Sequence, residues 1–324
     1  MREPGTIEKG VLCGRDGHLF LLDGGHHVFD FVLGLRRVRP ESLNNFASNI
    51  WRRAEICDAA GCRYLHVIFP DKQSVMTEQF PVEDPERLGE TYLQAFPALA
   101  DRVCYPLDAL RAIDSPFLKT DTHLTEAGTV AAVGEIVRSL TGADQSHHIE
   151  RLLASEWLPA ERAGDLGSRL DENSRESRPI IKRTWLAALF NNKLLGGNNG
   201  ITDIIFCKEP VYDSRLLIFG DSFGKDASSI LSYFFREVVF LRTAFFHDDI
   251  FHQIKPDFVI TENVERYLSA CTADDTRPSF FMYPYLGNAE YAPDLAFAEA
   301  FSAVLSYGRP PYFDFLKKHQ LDNR

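Results

Sequence analysis

The chain has 324 residues, 45% of them hydrophobic and 25% charged, with a formal net charge of -11. That is enough apolar material for a sizeable core, while the acidic balance speaks against a general nucleic-acid surface, which needs a basic stripe. It leaves room for an anionic glycan, since a local basic cleft can sit on an acidic protein. No apolar run reaches the roughly 18 residues of a membrane span. The start, Met1-Arg2-Glu3-Pro4-Gly5 followed by Glu8 and Lys9, lacks the apolar stretch of a signal peptide. As written, the chain is expected in the cytoplasm, or in the periplasm if a leader has been removed.

From the N-terminus, Val11-Leu12-Cys13 and His18 to Leu22 read as short strands, with Asp16-Gly17 as the hairpin turn. Pro40 to Ala60 has helical spacing, with apolar Leu43, Phe46, Ile50, Trp51, Ala54 and Cys57, and Gly61 ends it. Tyr64 to Phe69 reads as a buried strand stopped by Pro70. A helix is expected over Pro85–Leu99, a short strand over Arg102–Tyr105, a helical turn or two over Leu107–Ile113, and a helix over Leu124–Leu140.

Residues 141–200 are polar, and an insertion forming a cap-like layer is expected over about 141–205. Beyond it the alternation resumes. Leu216–Phe219 reads as a strand, Ser228–Phe235 as a helix, Glu237–Phe245 as a strand, Asp249–Ile254 as a short helix and Asp257–Thr261 as a strand. Strands alternating with helices imply a mainly parallel sheet covered on both faces. The last 50 or so residues, about 270–324 with five prolines, read as an irregular aromatic wrap on a single domain spanning 1–324. The six cysteines form no C-x-x-C pair and read as reduced, mostly buried thiols, so neither zinc nor redox chemistry is expected.

Two short stretches carry chemistry. Gly220-Asp221-Ser222 follows the apolar run Leu216–Phe219, which places a hydroxyl at the C-terminal end of a buried strand, where active sites of parallel sheets lie. Alone, Ser222 could simply cap a helix. About a hundred residues earlier, Thr120-Asp121-Thr122-His123 puts a carboxylate and an imidazole two positions apart, just before a helix that Asp121 or Thr122 could also cap. A serine becomes a good nucleophile when an imidazole takes its proton, and the imidazole works best when a carboxylate holds its other nitrogen. Together they favour Ser222 as nucleophile, His123 as base and Asp121 as its orienter.

The Ser222 amide is the first candidate to receive a developing oxyanion, and Asn263, just after the last strand, a second; the alternative for Asn263 is a loop residue facing water. Asp221 reads as structural, bonding backbone amides of the turn. Glu265 and Arg266 read as an ion pair, with a substrate role as the alternative for Arg266. Adjacent His26 and His27 make a poor metal pair, and Gly196–Gly200 lacks the flanking strand and helix of a nucleotide-binding loop. No cofactor or metal is called for.

Several segments in order resemble the SGNH-hydrolase-like domain of the alginate O-acetylation proteins (the AlgX and AlgJ type), over roughly residues 10–270. They are Phe69-Pro70-Asp71-Lys72, Lys119 to His123, Gly164-Asp165-Leu166-Gly167, Gly220 to Phe223, Pro256 to Ile260 and Glu265 to Leu268. The Asp-x-His pair precedes the serine, as in that family's circularly permuted arrangement. Leu124 stands where the family usually has Trp, and Thr125 where Asn is common. The resemblance implies a three-layer α/β/α, flavodoxin-like fold and acetyl transfer to or from a carbohydrate hydroxyl through acetyl-Ser222. Lys72 joins Asn263 and Arg266 as an oxyanion or substrate candidate. The expected partners are a carbohydrate or polysaccharide acceptor and an acetyl donor, protein or small molecule, with no nucleic acid and no membrane insertion. The same triad would serve an acetylesterase, and a non-catalytic glycan-binding or assembly module is the reading from another class.

Overall fold

A computed structural model describes residues 2–22 and 24–321. The chain divides into two compact units. One comprises residues up to Ser48, Val67–Lys182 and Asn263–Thr272; the other comprises Asn49–His66, Arg183–Glu262 and the residues from Ala273 onward.

In the first unit, the expected hairpin forms with Val11 opposite Leu21 and Cys13 opposite Leu19. Its turn takes Asp16 and Gly17 through positive φ, 57° and 80°, a conformation that Gly accepts freely and Asp tolerates. The helix expected over Pro85–Leu99 is shorter: Leu88–Ala95 is α-helical and Pro97–Arg102 is a 3-10 turn. Pro97 has no N–H to donate and pushes Phe96 out of the helical region, to φ -134° and ψ 67°. The helix Glu126–Thr141 buries Val130, Val133, Ile136, Val137 and Leu140 along one stripe. It is capped by Thr125 and closed by Gly142 at φ 76°. The cap is thus Thr125 itself, not Asp121 or Thr122.

The polar segment in this unit has structure of its own. A helix spans Ser146–Leu153, and two antiparallel strand pairs, Trp157–Leu158 with Ile180–Ile181 and Glu161–Arg162 with Glu176–Ser177, enclose a short helix Gly167–Leu170.

The second unit holds most of the central sheet. Its strands run in the spatial order Leu186–Asn191, Thr202–Cys207, Phe235–Arg242, Tyr212–Gly220, then Phe258–Val264 as far as Glu262 and Arg63–Phe69 as far as His66. The middle three are parallel and the first two antiparallel, so the fold is the expected mixed α/β type with a mainly parallel sheet and an antiparallel edge. The strand Thr202–Cys207 is buried at every position, although the sequence reads as insertion there. Its polar members are satisfied in place, Thr202 N–H by Asn192 and the Asp203 carboxylate by Asn191 and Lys225. The expected insertion therefore yields its last third to the sheet.

The end of the chain departs from expectation too. Short 3-10 turns at Asp274–Thr276 and Phe280–Met282 are irregular, but Leu295–Val304 and Pro310–Lys318 are helices. Asp294 caps the former by accepting from Phe297 N–H at 2.9 Å, and Pro310 starts the latter, where no N–H is needed. All six cysteines are free, five of them buried.

Candidate functional site

The Asp121–His123 loop lies in the first unit. Asp121 is fully buried, and its Oδ1 accepts from the His123 backbone N–H at 2.9 Å and lies 2.6 Å from His123 Nδ1. This is the pairing expected from the Asp-x-His spacing. It sets the ring so that Nδ1 faces the carboxylate, leaving Nε2 as the proton acceptor. Burial alone would push the Asp121 carboxyl up; the hydrogen bonds and charge of His123, with help from the Arg162 guanidinium, hold it well below the usual carboxylate range instead. Asp121 is therefore an anion at any working pH.

What shapes this loop comes from far along the chain. The Lys72 ammonium is buried and donates to three backbone carbonyls, Leu118 at 2.6 Å, Lys119 at 2.8 Å and Asp121 at 3.2 Å. Burial pulls its pKa down to about 7, against the attraction of Glu176, Asp121 and Asp165. Glu176 accepts from the backbone N–H groups of Lys119 and Thr120 and from the Thr120 hydroxyl. Asp165 accepts from Thr122 N–H at 2.8 Å and Thr122 Oγ at 2.6 Å, and its own N–H donates to Asp121 Oδ2 at 3.3 Å.

The Gly164-Asp165-Leu166-Gly167 segment must come this close. A Cβ at Gly164 would lie 2.1 Å from the Thr120 carbonyl oxygen, and that carbonyl accepts from Gly167 N–H at 2.8 Å. Ligand-type atoms of Asp121, His123 and Asp165 lie within 4.8 Å of one another, close enough to hold a cation. Both Asp165 oxygens already bond Thr122 and Nδ1 already faces Asp121, so hydrogen bonding is the use this arrangement makes of them.

Ser222 lies in the second unit, where the strand Tyr212–Gly220 meets the helix Ser222–Phe234. The helix starts six residues before the sequence expectation, so Ser222 occupies its first position and Asp221 its N-cap. Asp221 Oδ1 accepts from Phe223 N–H at 2.8 Å, the structural role read for it. A hydroxyl and an amide at a helix N-terminus sit in a positive field suited to a developing oxyanion. Glu262, which sequence reasoning passed over, also reaches this turn: its Oε1 accepts from the backbone N–H of Asp221 and from that of Gly224 at 3.0 Å.

The remaining candidates sit as follows. Asn263 is half-buried and spends one amide N–H on the Val264 carbonyl at 3.0 Å. Arg266 is buried and paired with Asp71, where a pair with Glu265 was expected. Glu265 instead gathers Asp71 N–H, Ser74 Oγ, Gly89 N–H and the Tyr105 hydroxyl, all within 3.1 Å. Burial and the Asp71 charge raise its pKa. Lys72, Arg266 and Glu265 thus brace loops of the first unit. Leu124 is buried in the core, with its backbone bridged to Phe117. No sequence signal other than the Glu at a strand end and the glycines at 220 and 224 pointed to Glu262.

A parallel sheet whose serine begins a helix at a strand end, with a carboxylate-held histidine elsewhere in the chain, defines an SGNH-type α/β protein. The chain belongs to the family described as the SGNH hydrolase-like domain of acetyltransferase AlgX, which matches residues 11–226, a span containing both motifs. Among solved structures it is similar to Bacillus cereus PatB1 with a sulfonyl adduct, at 11% identity and a TM-score of 0.56 over 80% of this chain and 97% of that one. It is also similar to a DHHW family protein from Eubacterium siraeum, at 11% identity and a TM-score of 0.52 over 83% and 94% of the two chains. The O-acetyltransferase domain of Pseudomonas putida AlgJ gives 16% identity and a TM-score of 0.45 over 86% and 99%. The first two likenesses show the shared fold. No curated protein matches the chain. Among the described residues, no helix is long and apolar enough to cross a membrane.

Proposed function

We propose that this chain is a carbohydrate O-acetyltransferase that works through acetyl-Ser222, with His123 as general base and Asp121 as its orienter. The supporting observation is the buried carboxylate that holds His123 Nδ1 at 2.6 Å, in a chain of the AlgX acetyltransferase family. His123 Nε2 takes the Ser222 proton as Oγ attacks the carbonyl carbon of an acetyl donor. The Ser222 amide, at the N-terminus of its helix, receives the oxyanion. The tetrahedral intermediate collapses, the donor's alcohol leaves with the proton from His123, and acetyl-Ser222 remains. A sugar hydroxyl then gives its proton to His123 as it attacks this ester. The acetylated sugar departs, and His123 returns the proton to Ser222.

The test is intact-protein mass spectrometry after brief exposure to p-nitrophenyl acetate. The wild type is expected to release nitrophenolate and gain one acetyl group. Ser222→Ala should gain none and lose turnover by at least about a thousand-fold. An unlabelled, inactive but folded wild type would sink the catalytic reading and turn attention to glycan binding. Added oligosaccharides then separate the two enzymatic outcomes: acetate appearing on the sugar marks a transferase, free acetate alone an esterase. Because PatB1 was solved with a sulfonyl adduct, a sulfonyl reagent is a natural second probe.

A further inference from the structure

Glu262 lies on Phe258–Val264, the strand parallel to the one that ends in Gly220, one position beyond the Phe219–Thr261 register pair. Thr261 points to one face of the sheet, where its hydroxyl meets Tyr64 at 2.8 Å and His66 at 2.9 Å. The next residue therefore points to the opposite face, where the helix Ser222–Phe234 begins. Glu262 is 4% exposed and places one oxygen against two backbone N–H groups, those of Asp221 and Gly224.

These are the N-cap and third-position amides of the helix. In an ordinary capping box the third residue is itself a Glu or Gln that reaches back to the N-cap amide. Here that position is Gly224, which has no side chain. A side chain there would meet the carboxyl: a Cβ would lie 2.2 Å from Glu262 Oε1, and a Cβ at Gly220 would lie 1.9 Å from it. The two glycines that bracket Asp221-Ser222-Phe223 are cut to the shape of this carboxyl. Asp221 takes the Phe223 amide, so two carboxyl groups hold three of the amides around Ser222.

We propose that Glu262 is a positioning residue for the nucleophile turn, supplying from a neighbouring strand the cap that Gly224 cannot and so fixing the Ser222 hydroxyl and amide in their working geometry. This rests on the reading of Ser222 as nucleophile. Burial, and then the Asp221 charge, raise the Glu262 carboxyl well above the ordinary range, against the two amide bonds and the Arg242 charge. A neutral carboxyl accepts the two amides through Oε1 without adding a second anion next to the oxyanion position. Oε2 is buried with no partner among the described residues. Glutamine reproduces that neutral shape.

The experiment measures kcat and KM for p-nitrophenyl acetate, and Tm, in the full chain carrying Glu262→Gln, Glu262→Ala, Gly224→Ala and the pair Gly224→Ala with Glu262→Ala. Rates are compared well below each variant's own Tm. Glu262→Ala is expected to lose kcat on the order of 10- to 100-fold at unchanged KM, the cost of a displaced reacting group, while Glu262→Gln stays within about threefold of the wild type. Gly224→Ala should lose Tm because its methyl meets the carboxyl. Removing that carboxyl in the double variant should relieve the clash, bringing Tm back to that of Glu262→Ala alone, and leave kcat low, which a merely structural role would not do.

Wild-type kcat in Glu262→Ala, or kcat recovering together with Tm in the double variant, overturns the assignment while Ser222 stays essential. If Ser222→Ala itself keeps full activity, the nucleophile reading falls, and this inference with it. If Glu262→Ala does not fold, Gly224→Ala, which only displaces the carboxyl, decides instead: kcat should fall at unchanged KM, and wild-type kcat there overturns the assignment.

Discussion

The serine turn and the Asp121–His123 loop differ in how many distant residues hold them. The turn has a local cap, Asp221 bonding its own helix two residues on, and a single distant residue, Glu262, 41 positions from Asp221 on the adjacent strand, completes it. The loop has its own local bonds, from His123 to Asp121, but three distant residues shape it. Lys72 lies 49 residues from Asp121, Asp165 43 residues from Thr122 and Glu176 56 residues from Thr120. A local motif keeps its shape when distant parts of the chain change, whereas a loop assembled from afar has its geometry set by every segment that reaches it. The serine side should therefore tolerate change at a distance except at Glu262, and the histidine side should not.

The largest test of that contrast is Asp121→Asn. It keeps the size of the side chain but removes the charge that orients the ring, and acetyl transfer should fall on the order of 10⁴-fold. The same variant carries a stability signature. A carboxyl held below its ordinary range in the folded protein binds its proton later than in the unfolded chain. It therefore contributes stability that is fully present above the unfolded value of about 3.9 and is lost as pH falls through the folded one. Acid titration followed by circular dichroism should show Asp121→Asn losing this acid-side dependence. An unchanged profile would mean that the His123 pairing adds no net stability.

Lys72→Met comes next. It leaves three carbonyls, two of them buried, without their donor, and unfolding should become easier by about 1–3 kcal/mol. Activity should fall roughly tenfold as the loop shifts, with Ser222 labelling by a sulfonyl reagent reduced much less than turnover. Equal loss of both would blur the distinction between the two regions. The smallest effect is expected from Thr125→Ala, which removes the cap of Glu126–Thr141: about 1 kcal/mol in denaturant unfolding, with activity near that of the wild type. A larger loss of activity would show that this helix start, directly after His123 and Leu124, also sets the ring.

Much of the frame was legible in the sequence. The hairpin at Asp16-Gly17, the helix Pro40–Ala59 and the short helix Asp248–Ile254 follow from turn chemistry and apolar spacing, and Asp221 was readable as a turn-bonding residue. Thr202–Cys207 was hidden because polar flanks and an internal Asp look like loop until Asn191, Asn192 and Lys225 are seen to satisfy them. The helices after Leu295 were masked by prolines, one of which, Pro310, begins a helix. Lys72 and Arg266, read as possible substrate contacts, turn out to be buried and bound to carbonyls and to Asp71, a fate that charge and position in the sequence do not reveal.

The sequence by itself determined the alternating α/β order, the Gly-Asp-Ser turn at a strand end and the Asp-x-His pair, because these rest on periodicities and bonds spanning a few residues. Only the tertiary structure decided that a carboxyl from the next strand lies beneath the serine turn, and that Lys72, Asp165 and Glu176 build the histidine loop. Those contacts depend on which strands become neighbours and which side chains burial forces to find a partner, and neither is encoded at short range.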